Sequence, residues 1–231
     1  PAEDVAAIIF EPVQGEGGYI CPPPRYVEAL GKLAKEKNIL VIYDEIQSGI
    51  GRTGKFFAAE HYNLEPDIIC MGKAVGGGFP LAVVGARKEI MSQWSTGAHG
   101  TTFGGHPTAC AAALPIIKTV SDPAFLKNVT EQGEYLRSRL RELQARFRAI
   151  GDVRGLGLMN AIEMVKGDNI PDPDLAKHVI QNLQARKILL LNCGVYGNAI
   201  RFIPPLNVER KLLDEVVDAL GEALIEETKA H

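Results

Sequence analysis

No CxxC pair occurs in this chain. Its four cysteines, Cys21, Cys70, Cys110 and Cys193, lie far apart, which excludes a zinc ribbon or a dithiol redox motif. Scattered single thiols suit a reducing compartment. The five histidines have no ligand spacing, so no metal site is predicted. No apolar run is long enough to cross a bilayer, nothing in the first residues given resembles a signal peptide, and a cytoplasmic location is expected. Neither sign of charge dominates. The 25 Lys and Arg against 28 Asp and Glu leave a net charge of −3, which gives no electrostatic reason to expect nucleic acid or an acidic membrane as partner. Internal repeats and low-complexity tracts are also absent.

What is present is an ordinary globular composition, 46% hydrophobic and 23% charged over 231 residues, enough for one large domain or two modest ones. The stretch from Leu40 to Gly78 organises the rest. Val41-Ile42-Tyr43 is a β-branched run expected to be a strand buried on both faces, and it ends in Asp44 and Glu45. A second apolar run, Ile68-Ile69-Cys70-Met71, ends in Gly72 and Lys73, followed by three glycines. Ligands of open parallel sheets sit beyond the carboxyl ends of the strands, so two such neighbours bring a carboxylate and an amine to one crevice. A pyridoxal-type cofactor needs that pair, a lysine for its aldehyde and an acid for its pyridine nitrogen. Taken singly, each residue reads better as an ordinary strand-end charge; the strand-ending context of both shifts the balance, and the spacing does not name the cofactor.

Upstream, Ala6 to Phe10 reads as a strand closed by Glu11-Pro12, with Val13 to Tyr19 as loop. Pro22-Pro23-Pro24 opens a helix to about Lys37, with Tyr26, Val27, Leu30, Leu33 and Ala34 on one face. Strand, helix, strand is a βαβ unit with a parallel crossover. GIGRTG, around Arg52, is no GxxxxGK[ST] phosphate loop. Downstream come a short helix over 56–62, a strand over 81–86 lying antiparallel at one side, a turn at 101–105 and a buried Ala-rich helix over 106–120. A boundary falls near Ser121-Asp122-Pro123. Beyond it Leu136, Leu140, Leu143 and Phe147 mark one face of a long helix whose arginines form a solvated face. A strand pair over 153–164, a helix at Leu175, Val179 and Leu183, strands at 188–191 and 199–203, and a last helix over 212–224 make an α+β tail.

YDEIQSGIGRTGKFFAAEHYNLEPDIICMGKAVGGGFPLAVVGA resembles the signature of class III (omega-type) aminotransferases. EPVQGEGG before it and TTFGGHPTACAAAL after it resemble the same family in the same order, most like 4-aminobutyrate aminotransferases. The resemblance implies an α/β fold, fold type I of the pyridoxal-phosphate-dependent transferases. Residues 1–121 would form the C-terminal part of the large cofactor-binding domain, with a parallel-rich sheet, and residues 122–231 the small α+β domain. It implies that the chain corresponds to the C-terminal half of such an enzyme, whose upstream half carries a glycine-rich phosphate loop of SGTEAN type and could be a separate piece.

Site residues follow from the same matches. Lys73 would carry the pyridoxal 5′-phosphate through a Schiff base and shuttle the proton. Asp44 would pair with the pyridinium nitrogen, Ile46 pack on the ring and Gln47 hydrogen-bond its hydroxyl. Thr102 would reach the phosphate across a subunit boundary, which implies a homodimer. Arg201, opening RFIPPL, would take a substrate carboxylate, and Glu16 would pair with Arg201 when the substrate has none there. The implied reaction moves an amino group from an omega-amino acid or amine to a 2-oxo acid. Acetylornithine or ornithine aminotransferase, a glutamate-1-semialdehyde-type aminomutase, and a truncated scaffold without turnover are the alternatives.

Overall fold

The strand β1 (Ala7–Phe10) runs parallel to β2 (Leu40–Asp44), which runs parallel to β3 (Ile68–Met71); β4 (Val83–Ala86) closes this sheet antiparallel to β3. These positions come from a computed structural model, which describes residues 1–229. Between β1 and β2 lies helix α1 (Pro24–Lys37). Proline at its first position lacks only an N–H that a helix start leaves unpaired. Asn38 ends it in the left-handed region at φ 55°, a conformation asparagine tolerates. The unit is completed by helix α2 (Lys88–Met91) and helix α3 (Pro107–Val120).

One sheet face is closed. Val41 and Tyr43 pack with Leu30 and Ala34 of α1, joined by Ile8, Phe10 and Ile69 of the flanking strands. The other face is open: Ile9 is exposed and Ile42 and Ile68 only half-buried. The expectation of a strand buried on both faces therefore holds for one face, because among the described residues no helix covers the other. Helix α1 likewise buries Val27, Leu30 and Ala34 but exposes Tyr26 and Leu33. Helix α3 has the expected place but is not buried; Ala109, Ala113 and Val120 are covered while Leu114 and Ile117 face outward. The short helix near residue 60 is one 3-10 turn, Ala58–His61.

The second unit contains helix α4 (Pro123–Arg146) from Lys127 onward, strands β5 (Ile150–Leu156), β6 (Met159–Lys166) and β7 (Ile170–Pro171), helix α5 (Pro173–Ala185), strands β8 (Leu191–Cys193) and β9 (Ala199–Phe202), and helix α6 (Arg210–Lys229). Its sheet runs β5-β6-β9-β8, antiparallel throughout, with β7 on β6. The compact units are Pro1–Pro12 with Pro22–Leu126, and Val13–Cys21 with the chain from Lys127 onward. The loop 13–21 thus leaves the first unit in space though not in sequence.

Strand periodicity separates the two faces of this second sheet. Ile162, Met164, Ile200 and Phe202 pack with apolar residues of α4, α5 and α6. On the opposite face Met159, Ala161, Cys193 and Ala199 pack with Val13 and Tyr19 of the loop. Two sequence expectations are corrected here. The arginines of α4 are not all solvated: Arg137 is 3% exposed, donating to the Gly157 carbonyl at 3.1 Å and the Asn160 side chain at 2.6 Å, with Glu134 as ion-pair partner. The strand expected at 188–191 begins only at Leu191. Lys187, at φ 67°, ends α5, and Ile188 and Leu190 then pack on the core as an unpaired connector.

Candidate active site

In the first unit the two parallel strand ends converge as their composition suggests. Asp44 sits opposite Cys70 in the ladder, and Glu45 N donates to the Cys70 carbonyl at 2.9 Å, so the strands stay joined to their last residue. Gly72 and Lys73 follow immediately. A β-carbon at Gly72 would stand 3.2 Å from Cγ2 of Ile46, so the two strand-end segments touch there and Ile46 lies against the residue before Lys73. Lys73 opens a 3-10 turn with φ at 45°. A lysine in the left-handed region stores backbone strain, a cost concentrated at functional positions. Its side chain is exposed. Helix α3 packs against this turn through Ala112 and Ile116, which approach Gly77.

Asp44 uses one oxygen to accept from Ile46 N at 2.9 Å, and its proximity helps burial raise the Cys70 thiol pKa. Ile46 is exposed at its edge and Gln47 is half-buried in the following turn. Thr102 stands exposed in the turn before α3. The structure thus brings Asp44, Ile46 and Lys73 together at the carboxyl ends of the two central strands.

Glu45 was missed by sequence reasoning. It is fully buried, where it accepts from Ser48 Oγ at 2.7 Å, Ala58 N at 3.1 Å and Ala59 N at 2.7 Å. Burial raises its carboxyl pKa above the usual range, against those hydrogen bonds that favour the charged form. The signal was available: Val41, Tyr43 and Glu45 follow the strand period, so the second acid of the Asp-Glu pair continues the buried face. Glu45→Ala is expected to lose roughly 2–4 kcal/mol by orphaning two amides, with Glu45→Gln losing less because it keeps an acceptor. Urea midpoints decide this, and an alanine variant within about 0.5 kcal/mol of the parent, the range of an ordinary surface change, rules the anchor out.

The second unit carries the other pair. Arg201 lies in β9 opposite Ala161 and Leu191, and the period of two turns it from the helix-covered face toward loop 13–21. Its Nη1 donates to Oε1 of Glu16 in an ion pair, with Arg201 14% and Glu16 75% exposed. The Nε of Arg201 is buried with no hydrogen-bond partner. Burial opposes the Arg201 charge, but the Glu16 hydrogen bond and the field of neighbouring groups outweigh it, and the pKa is raised. Sequence reasoning also missed Arg154 and Gly194, which hold the Glu16 loop: Arg154 Nε donates to the Gly18 carbonyl at 2.8 Å, and Gly194 N donates to the Glu16 carbonyl at 2.8 Å.

The class-III aminotransferase family profile matches residues 1–224. A 4-aminobutyrate aminotransferase of Mycobacterium leprae is 42% identical over 96% of this chain and 50% of its own length. An acetylornithine aminotransferase of Methanocaldococcus jannaschii is 41% identical, over 97% of this chain and 54% of its own. Among solved structures, a transaminase from Virgibacillus superposes with a TM-score of 0.92 at 32% identity, covering 99% of this chain and 54% of that one. This chain therefore spans about half the length of the curated relatives it matches, and it belongs to the class-III aminotransferases, pyridoxal-phosphate-dependent enzymes of fold type I.

Proposed function

We propose that this chain carries the cofactor-binding lysine and the carboxylate-binding arginine of an aminotransferase that moves an amino group from an omega-amino acid of the 4-aminobutyrate type to a 2-oxo acid. The observation that carries the substrate side is Arg201, mostly buried, held on one nitrogen by Glu16, with a buried Nε that has no acceptor. A buried donor without a partner is costly, and the planar fork of arginine matches a carboxylate. A substrate carboxylate satisfies that donor.

The first unit fits pyridoxal phosphate in its donor set. Lys73 offers an exposed amine at one strand end, and Asp44 offers a carboxylate at the next, one oxygen of which is used by Ile46 N. When bound, the cofactor supplies an electron sink for the carbon that loses a proton. The residues do the rest. Lys73 Nζ moves the proton at the amine-bearing carbon of the substrate. Asp44 accepts a hydrogen bond from the protonated ring nitrogen and keeps the proton there. Ile46 would pack on the ring and exclude water, Gln47 would hold the ring hydroxyl, and Thr102 would hold the phosphate from a neighbouring subunit of a homodimer.

Glu16 supplies the alternation between substrates. With an omega-amino donor that places no carboxylate at Arg201, Glu16 stays paired and leaves no buried cation uncompensated. With glutamate, the α-carboxylate takes Arg201 and Glu16 swings out toward the solvent that already reaches it. Glu16→Ala is therefore expected to slow the omega-amine half-reaction more than the glutamate half-reaction, in single-turnover measurements of each; equal losses contradict the alternation. The acetylornithine relative supports a second donor class. The deciding assay offers 4-aminobutyrate or N-acetylornithine with 2-oxoglutarate to the cofactor-loaded protein and follows glutamate. Glutamate formed from 4-aminobutyrate supports the first reading, turnover of N-acetylornithine alone replaces it with the second, and no glutamate from either rejects both.

A further inference from the structure

The loop that bears Glu16 packs Val13 and Tyr19 on the sheet beneath it, and its backbone beside Glu16 is held by two hydrogen bonds, one of them from a side chain with no part in the chemistry above. Arg154 lies on β5 opposite Ala161, so strand periodicity puts it on the same face as Arg201. It is mostly buried, and Nη1 pairs with Asp152 at 2.8 Å and with Glu163. Two carboxylates on that one nitrogen fix the guanidinium so that Nε reaches the Gly18 carbonyl at 2.8 Å, two residues after Glu16. Gly18 is at φ 119°, and a β-carbon there would meet the Gly194 Cα at 3.2 Å and Nη2 of Arg154 at 3.3 Å. The loop backbone is therefore clamped between Arg154 and the β8–β9 turn, where Gly194 N holds the Glu16 carbonyl. Glu16's own side chain is otherwise mostly in solvent. A solvent-exposed carboxylate gains little from pairing unless something fixes its backbone.

From this we infer that Arg154 is a positioning residue that sets how strongly Glu16 competes with substrate carboxylates for Arg201. The inference rests on the Glu16–Arg201 alternation proposed above. Arg154 bonds Asp152, Glu163 and the Gly18 carbonyl rather than the Glu16 carboxylate, and it acts by holding the Gly18 carbonyl. Releasing that bond loosens the loop, weakens Glu16 as an internal competitor, and makes Arg201 easier for a dicarboxylate to claim. The effect on dicarboxylate affinity is thus a gain, whereas simple damage to the fold gives a loss.

The test is calorimetric binding of glutarate to the protein loaded with pyridoxal phosphate, for the parent, Arg154→Gln, Arg154→Lys, Glu16→Ala, Arg201→Ala and the double variant Arg154→Gln/Glu16→Ala. Arg154→Lys keeps a cation beside Asp152 and Glu163 but lacks a second nitrogen for Gly18, so it separates the latch from local charge balance. Both Arg154 variants should bind glutarate about two- to tenfold more tightly, the range of one net hydrogen bond. The Arg154→Gln change should add nothing once Glu16 is alanine. If Glu16→Ala tightens binding while the Arg154 variants match the parent or bind more weakly, the latch is wrong and the alternation stands. An Arg154→Lys variant that behaves as the parent while Arg154→Gln differs assigns the effect to charge and also overturns the latch. If neither Glu16→Ala nor Arg201→Ala changes glutarate affinity, the alternation fails and the latch with it.

Discussion

Lys73→Ala is expected to abolish covalent retention of pyridoxal phosphate after borohydride reduction and to lower turnover by roughly 10²–10⁴-fold, the range a positioned proton-transfer group supplies. Intact mass and peptide mapping read the first effect, and steady-state assays with omega-amino donors read the second. In the parent the cofactor mass should sit on the peptide that contains Lys73. Several features make this the largest functional effect available to a single change. The residue ends a strand whose neighbour ends in Asp44, its backbone is held at φ 45°, and Gly72 before it lies against Ile46. Lys73→Arg should fail equally, because a guanidinium keeps its proton and cannot act as an amine nucleophile. Cofactor mass found on another lysine in the parent, or retained in Lys73→Ala, removes Lys73 from the reaction.

Gly133→Ala should unfold the second unit more readily, against the helix propensity that favours alanine over glycine by up to about 1 kcal/mol. Gly133 lies in the third turn of α4, and a β-carbon there would come within 1.8 Å of the Gly157 carbonyl oxygen and 2.3 Å of its carbon. Both are backbone atoms of the β5–β6 turn, so no rotamer relieves the clash. The helix must move away, and Arg137 then loses the same carbonyl, which it holds at 3.1 Å from inside the core. Overpacking of this kind costs about 3 kcal/mol or more, and the lost hydrogen bond adds about 1 kcal/mol. Gly221→Ala in α6 is the control. Its β-carbon would meet only the end of the Leu143 side chain, at 3.2 Å, so the change should stay within about 1 kcal/mol of neutral. Denaturant unfolding of the pair gives the sign directly, and a stabilised Gly133→Ala shows that α4 and the turn are not in contact.

The sequence by itself determined the parts that depend on local pattern. Strands β1, β2 and β3, helices α1, α5 and α6, and the antiparallel β4 follow from apolar periodicity and from proline and glycine punctuation, and all lie within a few residues of expectation. Asp44 and Lys73 were legible as strand-end residues for the same reason, and the motifs around them identified the family. Local pattern does not say which face of an element will find a partner. Tyr26 and Leu33 have the spacing of a buried stripe yet remain exposed, and α3 is apolar but covered only at Ala109, Ala113 and Val120. Arg137 sits among arginines on a charged helix and was read as solvated. The close approach of the Gly157 turn, with carbonyl and amide acceptors, together with the Glu134 carboxylate, compensates its burial.

The resemblance implied the pairing of Glu16 with Arg201, but the tertiary structure alone decided where the Glu16 loop packs. Val13 to Cys21 is adjacent in sequence to β1 and α1, but it packs on the outer face of the β5-β6-β9-β8 sheet, where Met159, Ala161 and Ala199 offer an apolar floor. Contacts between Glu16 and Arg201, or between Gly18 and Arg154, span well over a hundred residues of chain. No periodicity or spacing encodes a pairing at that separation. It exists because the alternation of β5 and β9 turns both arginines to the one face that the three helices leave uncovered.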